Sequence, residues 1–217
     1  MQRNEIISLL EEKQYDELVE MAKKDTKGIF RLLIGITYDK SNILCWRAID
    51  LTGIIAGEIA KTNPEVIRTM AQRLLWMLRD ESGNNLSSAP EMLGEIVRNS
   101  PDVFADIAPV IASFHDELML RPGVLRAIFR IGEVRPDLIG ISREFLESYL
   151  RDEDPVVRAY AFLIAGAYKF TGSLPDMAKR KDDGDVVTLY CDGDFISVSV
   201  GEIAKKIHKR FSEEENR

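Results

Sequence analysis

The stretch RAIFRIG at residues 126–132 decides the fold prediction, because its pattern of small and apolar residues recurs along the chain. Related stretches occur before and after it: RAIDLTG at 47–53, SAPEMLG at 88–94 and RAYAFLIAG at 158–166. Each stretch contains an alanine, and in chain order these are Ala48, Ala89, Ala127 and Ala159. Their separations of 41, 38 and 32 residues indicate an internal structural repeat.

The segment around Ala127 has the periodicity of an amphipathic helix. Its apolar residues recur at intervals of three and four positions and form one stripe: Val124, Ala127, Ile128, Ile131 and Val134. Three charged residues lie off this stripe: Arg126, Arg130 and Glu133. In the first three repeats a glycine follows the alanine by five positions, at Gly53, Gly94 and Gly132. Because small residues let helices approach closely, we expect these alanines and glycines to be packing residues.

Acidic turns and prolines recur between the predicted helices. The sequence LRDE occurs at 78–81 and again at 150–153, and three prolines are each expected to open a further helix: Pro64, Pro101 and Pro136. A two-helix unit repeated about every 40 residues predicts a mainly α fold, an α-solenoid of the HEAT or armadillo kind. We assign this solenoid to residues 1–172, with a capping helix pair in 1–25 and about four repeats in 26–172.

The C-terminal residues follow a different pattern. Residues 173–185 are polar with glycine and proline, which predicts a linker. The Asp192-Gly193 pair between two β-rich runs then predicts a hairpin with a two-residue turn. Its apolar face needs a cover, which the helix after it supplies, so residues 186–217 are predicted to form a small β-hairpin plus helix.

The region around the second repeat contains the most unusual loop. Ser88 and Glu91 have the spacing of a capping box at the start of a helix. No histidine is near in sequence to activate a serine, so we assign no catalytic role to Ser88. The preceding SGNN sequence forms a longer loop than the equivalent turns, and Asn84 and Asn85 are candidates for contact with a partner.

Charged residues also recur with the repeats. Arginines occur at the start of second helices, at Arg47, Arg126 and Arg158, and aspartates occur in the turns before them, at Asp39, Asp80, Asp116 and Asp152. The favoured interpretation is an Asp–Arg ladder joining neighbouring repeats, which contributes little stability if exposed. The alternative is that some arginines face the concave groove and bind an acidic partner. Trp46 beside Arg47 is either a core residue or a binding anchor.

Composition limits the classes of function. The net charge of -7 and the pI of about 5.1 argue against a nucleic-acid binder, which needs many basic residues to neutralise phosphates. Cys45 and Cys191 are far apart, which gives no thiolate metal site and fits a reducing compartment. We find no signal-peptide pattern and no apolar run long enough for a membrane span, so we expect a cytoplasmic protein.

Several of these motifs resemble a known type of repeat. WRAIDLTG, the DESG…SAPE…GEI block and RPGVLRAIFRIG resemble the HEAT-like repeats named after phycobilin (PBS) lyases. They resemble more closely an uncharacterised family of small prokaryotic HEAT-repeat proteins, in which a capping helix pair precedes the repeats and a hairpin plus helix ends the chain. The resemblance covers most of the chain and implies a fold without an established activity. Relatives carry glycine and tryptophan where this chain has residues 84–87.

The preferred function is a protein-interaction or assembly scaffold that binds a protein partner on its concave face. The candidate binding residues are Trp46, Arg47, Asp50, Asn84, Asn85, Ser88, Glu91, Glu95, Arg126 and Arg130. Two alternatives remain: a lyase or chaperone for a tetrapyrrole-type small molecule, by analogy with bilin lyases, and a nucleic-acid-binding repair protein, which the acidity disfavours. We predict no cofactor, metal site or catalytic residue.

Overall fold

A computed structural model describes residues 3–79, 87–173 and 178–215. The described chain is mainly helical and ends in a two-stranded antiparallel sheet followed by a helix. The helices are α1 (Arg3–Glu11), α2 (Tyr15–Lys24), α3 (Thr26–Ile36), α4 (Ile43–Ala60), α5 (Pro64–Leu78), α6 (Ala89–Asn99), α7 (Ile107–Ala112), α8 (Arg121–Gly132), α9 (Arg143–Leu150), α10 (Pro155–Ala167) and α11 (Val200–Glu215). The strands are β1 (Val186–Cys191) and β2 (Asp194–Ser199).

The four repeated stretches form helices α4, α6, α8 and α10, which lie next to one another in chain order. Helix α4 packs on α6, α6 on α8, α8 on α10, and α10 on α11. The odd-numbered helices cover this row: α5 packs on α4 and α6, α7 on α6 and α8, and α9 on α10. The row is covered on several sides; α6, for example, buries every residue from Ala89 to Val97, including the carboxylates of Glu91 and Glu95.

The small residues have the predicted packing role, although not at one repeated register. The alanines of the four stretches are fully buried. A side chain at Gly94 would place its Cβ 2.6 Å from the Cβ of Ala127 on the next helix. At Gly53 the neighbours are instead the main chain of Glu95 and the side chain of Asn99. Glycine therefore permits both close helix contacts, but the contact is displaced along the helix from one layer to the next.

The two helices expected within residues 1–25 are present as α1 and α2. Ile6 and Leu10 of α1 are fully buried, as is Leu18 of α2. Helix α1 packs on α2 and α4, and α2 packs on α3 and α4. The pair therefore covers the first long helix of the row.

The hairpin also has the predicted register. Leu189 pairs with Ile196 and Cys191 with Asp194, and the turn residues Asp192 and Gly193 have φ angles of 50° and 89°. Positive φ at both central positions is the geometry that the Asp-Gly sequence favours. A capping box opens α11, in which Ser199 N donates to Glu202 Oε2 at 3.0 Å and Glu202 N donates to Ser199 Oγ at 3.2 Å.

Some local expectations were wrong. Of the three prolines, only Pro64 begins an α-helix; Pro101 lies in a turn and Pro136 begins a short 3-10 helix. Val134, the last member of the predicted stripe, lies beyond the end of α8 and is 43% exposed. Arg126 lies off the apolar stripe yet is only 3% exposed, because neighbouring helices surround α8 on several sides.

Candidate functional site

A buried cluster of charges joins the three helices α4, α6 and α8. Glu95 of α6 accepts from Arg130 Nε of α8 at 2.8 Å and lies 3.2 Å from Arg126 Nη1. Arg126 also reaches Asp50 of α4, with 3.5 Å between Nη2 and Oδ1. Glu95 is 1% exposed. Because both arginines share this carboxylate, the cluster holds its helices in one relative position and has little freedom to bind a partner.

Aromatic rings surround the buried guanidinium of Arg126. Its Cζ lies 5.2 Å from the ring centroid of Trp46, close enough for a cation–π contact. Trp46 stacks on Tyr190 of the hairpin with ring centroids 5.7 Å apart and donates its indole N–H to Lys40 O at 2.9 Å. Trp46 therefore links the charge cluster to the hairpin.

Burial raises the pKa of several groups around this cluster. The pKa of Asp50 is raised by burial and by the nearby Glu95 carboxylate, against the opposing effect of Arg126. Burial raises the pKa of Tyr160 to about 12 and that of Tyr190 well above its ordinary value. The hydroxyls of Tyr15 and Tyr190 are buried, and neither makes a hydrogen bond of normal geometry to the described residues. Both tyrosines thus remain protonated near neutral pH.

A cleft of about 750 Å³ opens beside this cluster, between α8, α10, the hairpin and α11. The charge cluster reaches it through Asp50, Arg126 and Arg130. Apolar side chains from all four elements line it, and they include Phe129, Leu163, Ile196, Val198, Ile203 and Ile207. The lysines at its margin are Lys169 and Lys206, for which no ion-pair partner occurs within the described ranges. The cleft thus combines an apolar lining, a cationic margin and a rigid charged end.

The hairpin turn is attached to the N-terminal helices by charged contacts. Lys13 Nζ donates to Asp194 Oδ2 at 2.9 Å. Arg47 Nε donates to Gly193 O at 3.2 Å, and its Nη1 donates to Glu11 O at 2.8 Å. Arg47 was predicted to face a partner or a repeat-to-repeat ladder, but here it joins the hairpin turn to α4 and α1.

Ser88 and Glu91, two further predicted binding residues, are buried away from the cleft. Ser88 Oγ donates to Thr37 O at 2.6 Å and makes no cap to its own helix, so the predicted capping box is wrong. Glu91 pairs instead with Lys40, with 2.6 Å between Oε1 and Nζ. Both side chains therefore hold the start of α6 against the turn between α3 and α4, which contains Thr37 and Lys40. Asn84 and Asn85 lie outside the described residues.

The predicted Asp–Arg ladder does not form between the expected partners. Arg126 binds Asp50 and Glu95, neither of which lies in a turn. Arg158 forms ion pairs with Asp183 and Asp185, which precede the hairpin. It donates to the main-chain oxygen of Asp152 and not to its carboxylate. Asp80 lies outside the described residues. The arginines thus connect the helix row to itself and to the C-terminal segment.

Sequence reasoning missed the hairpin and α11 as parts of the site. The cleft is bordered by Tyr190 and Ile196 of the hairpin and by Lys206 of α11. The other walls are helices whose faces the prediction left open to solvent. The sequence carried one signal for this arrangement, because the apolar face of the hairpin was expected to pack against another element. The position of that cover depends on contacts between residues more than 100 positions apart, such as Arg47 with Asp194.

Comparisons with other proteins add little about activity. No protein-family model matches the chain. The chain is similar to an uncharacterized protein of Archaeoglobus fulgidus, with 28% identity over 167 residues that cover 74% of this chain and 85% of that protein. Within the described residues, no helix is both long and apolar enough to cross a membrane, and no group of three potential metal-ligating side chains is present.

Proposed function

We propose that the chain is an α-solenoid interaction module of the HEAT kind that binds a segment of a partner protein in the cleft beside the hairpin. The row of α4, α6, α8 and α10, with odd-numbered helices packed on it, supports the solenoid interpretation. The proposed binding surface differs from the sequence-based one, because the hairpin contacts Arg47 of α4 and packs on α10.

The observation that carries this proposal is an apolar surface left partly open in the cleft. Ile196 is 44% exposed although it shares a strand face with the buried Val187 and Leu189. Phe129 and Leu163 lie opposite on α8 and α10 and are also only partly buried. Exposed apolar surface with a polar margin is typical of a site that another molecule covers.

The buried charges favour a preformed site. Glu95 and Arg126 are only 1% and 3% exposed, so we assign them chiefly to holding the cleft walls instead of to partner contact. Arg130 keeps 21% of its side chain exposed and lies where the cleft meets this cluster. A partner would therefore enter a cleft whose walls are already ordered, which reduces the entropic cost of binding.

The chain offers a direct experiment, because Cys191 is exposed at the cleft while Cys45 is buried. A photoreactive maleimide attached to Cys191 should crosslink to one segment of one protein when the labelled chain is irradiated in extract of its source cells. The control carries Cys191→Ser and Glu65→Cys, which moves the label to the exposed start of α5. The Leu163→Asp substitution should abolish the crosslink from Cys191. Equal crosslinking from both label positions, or none from Cys191, would refute the proposal.

A small-molecule ligand is the second candidate, and the size of the cleft favours it. A volume of about 750 Å³ lies within the range of roughly 300–1,000 Å³ that ligand pockets occupy. Trp46 stacks on Tyr190, which lines the cleft, so its fluorescence should report occupancy. Titration with biliverdin, a linear tetrapyrrole, should quench Trp46 in a Trp76→Phe variant if this candidate holds. An unchanged emission would eliminate it.

A further inference from the structure

The outer edge of β2 carries main-chain groups that are free to pair with another strand. In a hairpin with a two-residue turn, Cys191 and Asp194 exchange both hydrogen bonds, and so does every second pair after them. The intervening residues Phe195 and Ser197 therefore direct their N–H and C=O groups away from β1. No main-chain hydrogen bond from another described element reaches these groups.

The same edge is open to solvent. Phe195 is 39% exposed, Ile196 is 44% exposed, and Ser197 is also exposed. Strand β1 packs against α10 and buries Val187, Leu189 and Tyr190, while β2 contacts α11 and leaves its outer edge exposed. An exposed strand edge beside an apolar cleft provides both main-chain and side-chain contacts for an extended chain.

We infer that β2 binds an extended segment of the partner protein as a third strand, with alternate side chains of that segment entering the cleft. This inference rests on the proposed function and names its partner class. Side chains project to opposite faces along a strand, so every second residue of the added strand lies on the face of Ile196 and Val198. That face borders the cleft, whose apolar lining also includes Ile203 and Ile207 of α11.

The charges at the cleft margin favour acidic residues in the bound segment. Lys169 and Lys206 line the cleft, and within the described ranges they make no ion pair. Three of the carboxylates that line the cleft are engaged, since Asp50 and Glu133 pair with arginines and Glu202 caps α11, while Asp192, among the residues that the structure describes, makes only a 3.5 Å contact with Cys191 Sγ. The partner is thus an extended segment with apolar residues at alternate positions and at least one carboxylate among them.

Phage display of random twelve-residue peptides against the full chain tests this inference, with affinities of enriched peptides measured by fluorescence anisotropy. We expect enriched sequences to alternate apolar and polar residues and to include aspartate or glutamate. The Ser197→Pro substitution removes one outward-facing donor and should weaken binding about tenfold. The matched change Thr188→Pro, on the residue opposite in β1, should leave the affinity nearly unchanged.

Folding of both variants is checked by circular dichroism and thermal unfolding. If Ser197→Pro does not fold, the peptide supplies the same test. N-methylation of the peptide residues whose N–H groups point toward β2 should abolish binding, and N-methylation of the residues between them should not. Enriched peptides with helical periodicity that bind Ser197→Pro normally would overturn strand addition while leaving the cleft as the binding site. Failure to enrich any peptide, or a dimer of the native chain that Ser197→Pro converts to monomer in sedimentation, would also overturn it.

Discussion

Replacing Glu95 by glutamine removes a buried carboxylate that pairs with both Arg126 and Arg130. The substitution keeps the size of the side chain but leaves Arg126 with Asp50 alone, at 3.5 Å, as an ionic partner. It also turns an amide N–H₂ group toward one of the guanidinium groups. Removing one partner of a buried ion pair typically costs about 3–5 kcal/mol, which is a large part of a total stability of about 5–15 kcal/mol.

Urea unfolding followed by circular dichroism measures this loss in the free energy of unfolding. The matched control is Glu133→Gln, because Glu133 pairs with the same Arg130 at 2.6 Å but keeps 34% of its side chain exposed. That substitution should cost less than about 1 kcal/mol. A similar small loss for both variants would show that the buried cluster does not hold the helices together as described. Arg126→Met in the Glu95→Gln background should cost less than it does alone, because the unpaired cation is then removed.

Three further predictions concern packing, protonation and the hairpin attachment. Gly94→Ala should destabilise the protein by about 1–3 kcal/mol, because the new Cβ would lie 2.6 Å from the Cβ of Ala127. Gly35→Ala should stabilise the protein slightly, because a Cβ there would meet no atom within 4 Å. Thermal unfolding of the two variants measures the difference. Burial raises the pKa of Asp50 above its value in the unfolded chain, so the native chain should lose stability relative to Asp50→Asn as the pH rises above about 4, the pKa of an unperturbed aspartate, which urea titrations at several pH values would measure. Arg47→Met should speed amide hydrogen exchange in the hairpin but not in α8, since Arg47 contacts Gly193 and Asp194.

The helical elements were predictable because local periodicity determines them. The small residues near Ala127, the Asp192-Gly193 turn and the Ser199–Glu202 capping box each specify structure within a few positions. The N-terminal pair α1 and α2 followed from short amphipathic patterns for the same reason. These are the features whose physical cause lies inside one segment.

The partners of the charged side chains were not predictable in the same way. Arg126 selects Glu95 and Asp50, which lie 31 and 76 positions earlier in the chain, and nothing local distinguishes them from Asp116 in the preceding turn. Ser88 matches the spacing of a capping box, but Thr37 O lies within its reach after folding. Spacing alone therefore assigned both residues to the wrong contacts, and it also placed the binding surface on helices that the hairpin partly covers.

The most direct test of the cleft as a binding site is methyl NMR of the isoleucine side chains. The chain is titrated with a synthetic copy of the partner segment that crosslinks to Cys191. The δ1-methyl signals of Ile196, Ile203 and Ile207 should shift, while that of Ile54, which is 36% exposed on α4 and does not line the cleft, should not. Unchanged cleft methyl signals with shifts at Ile54 would contradict the account.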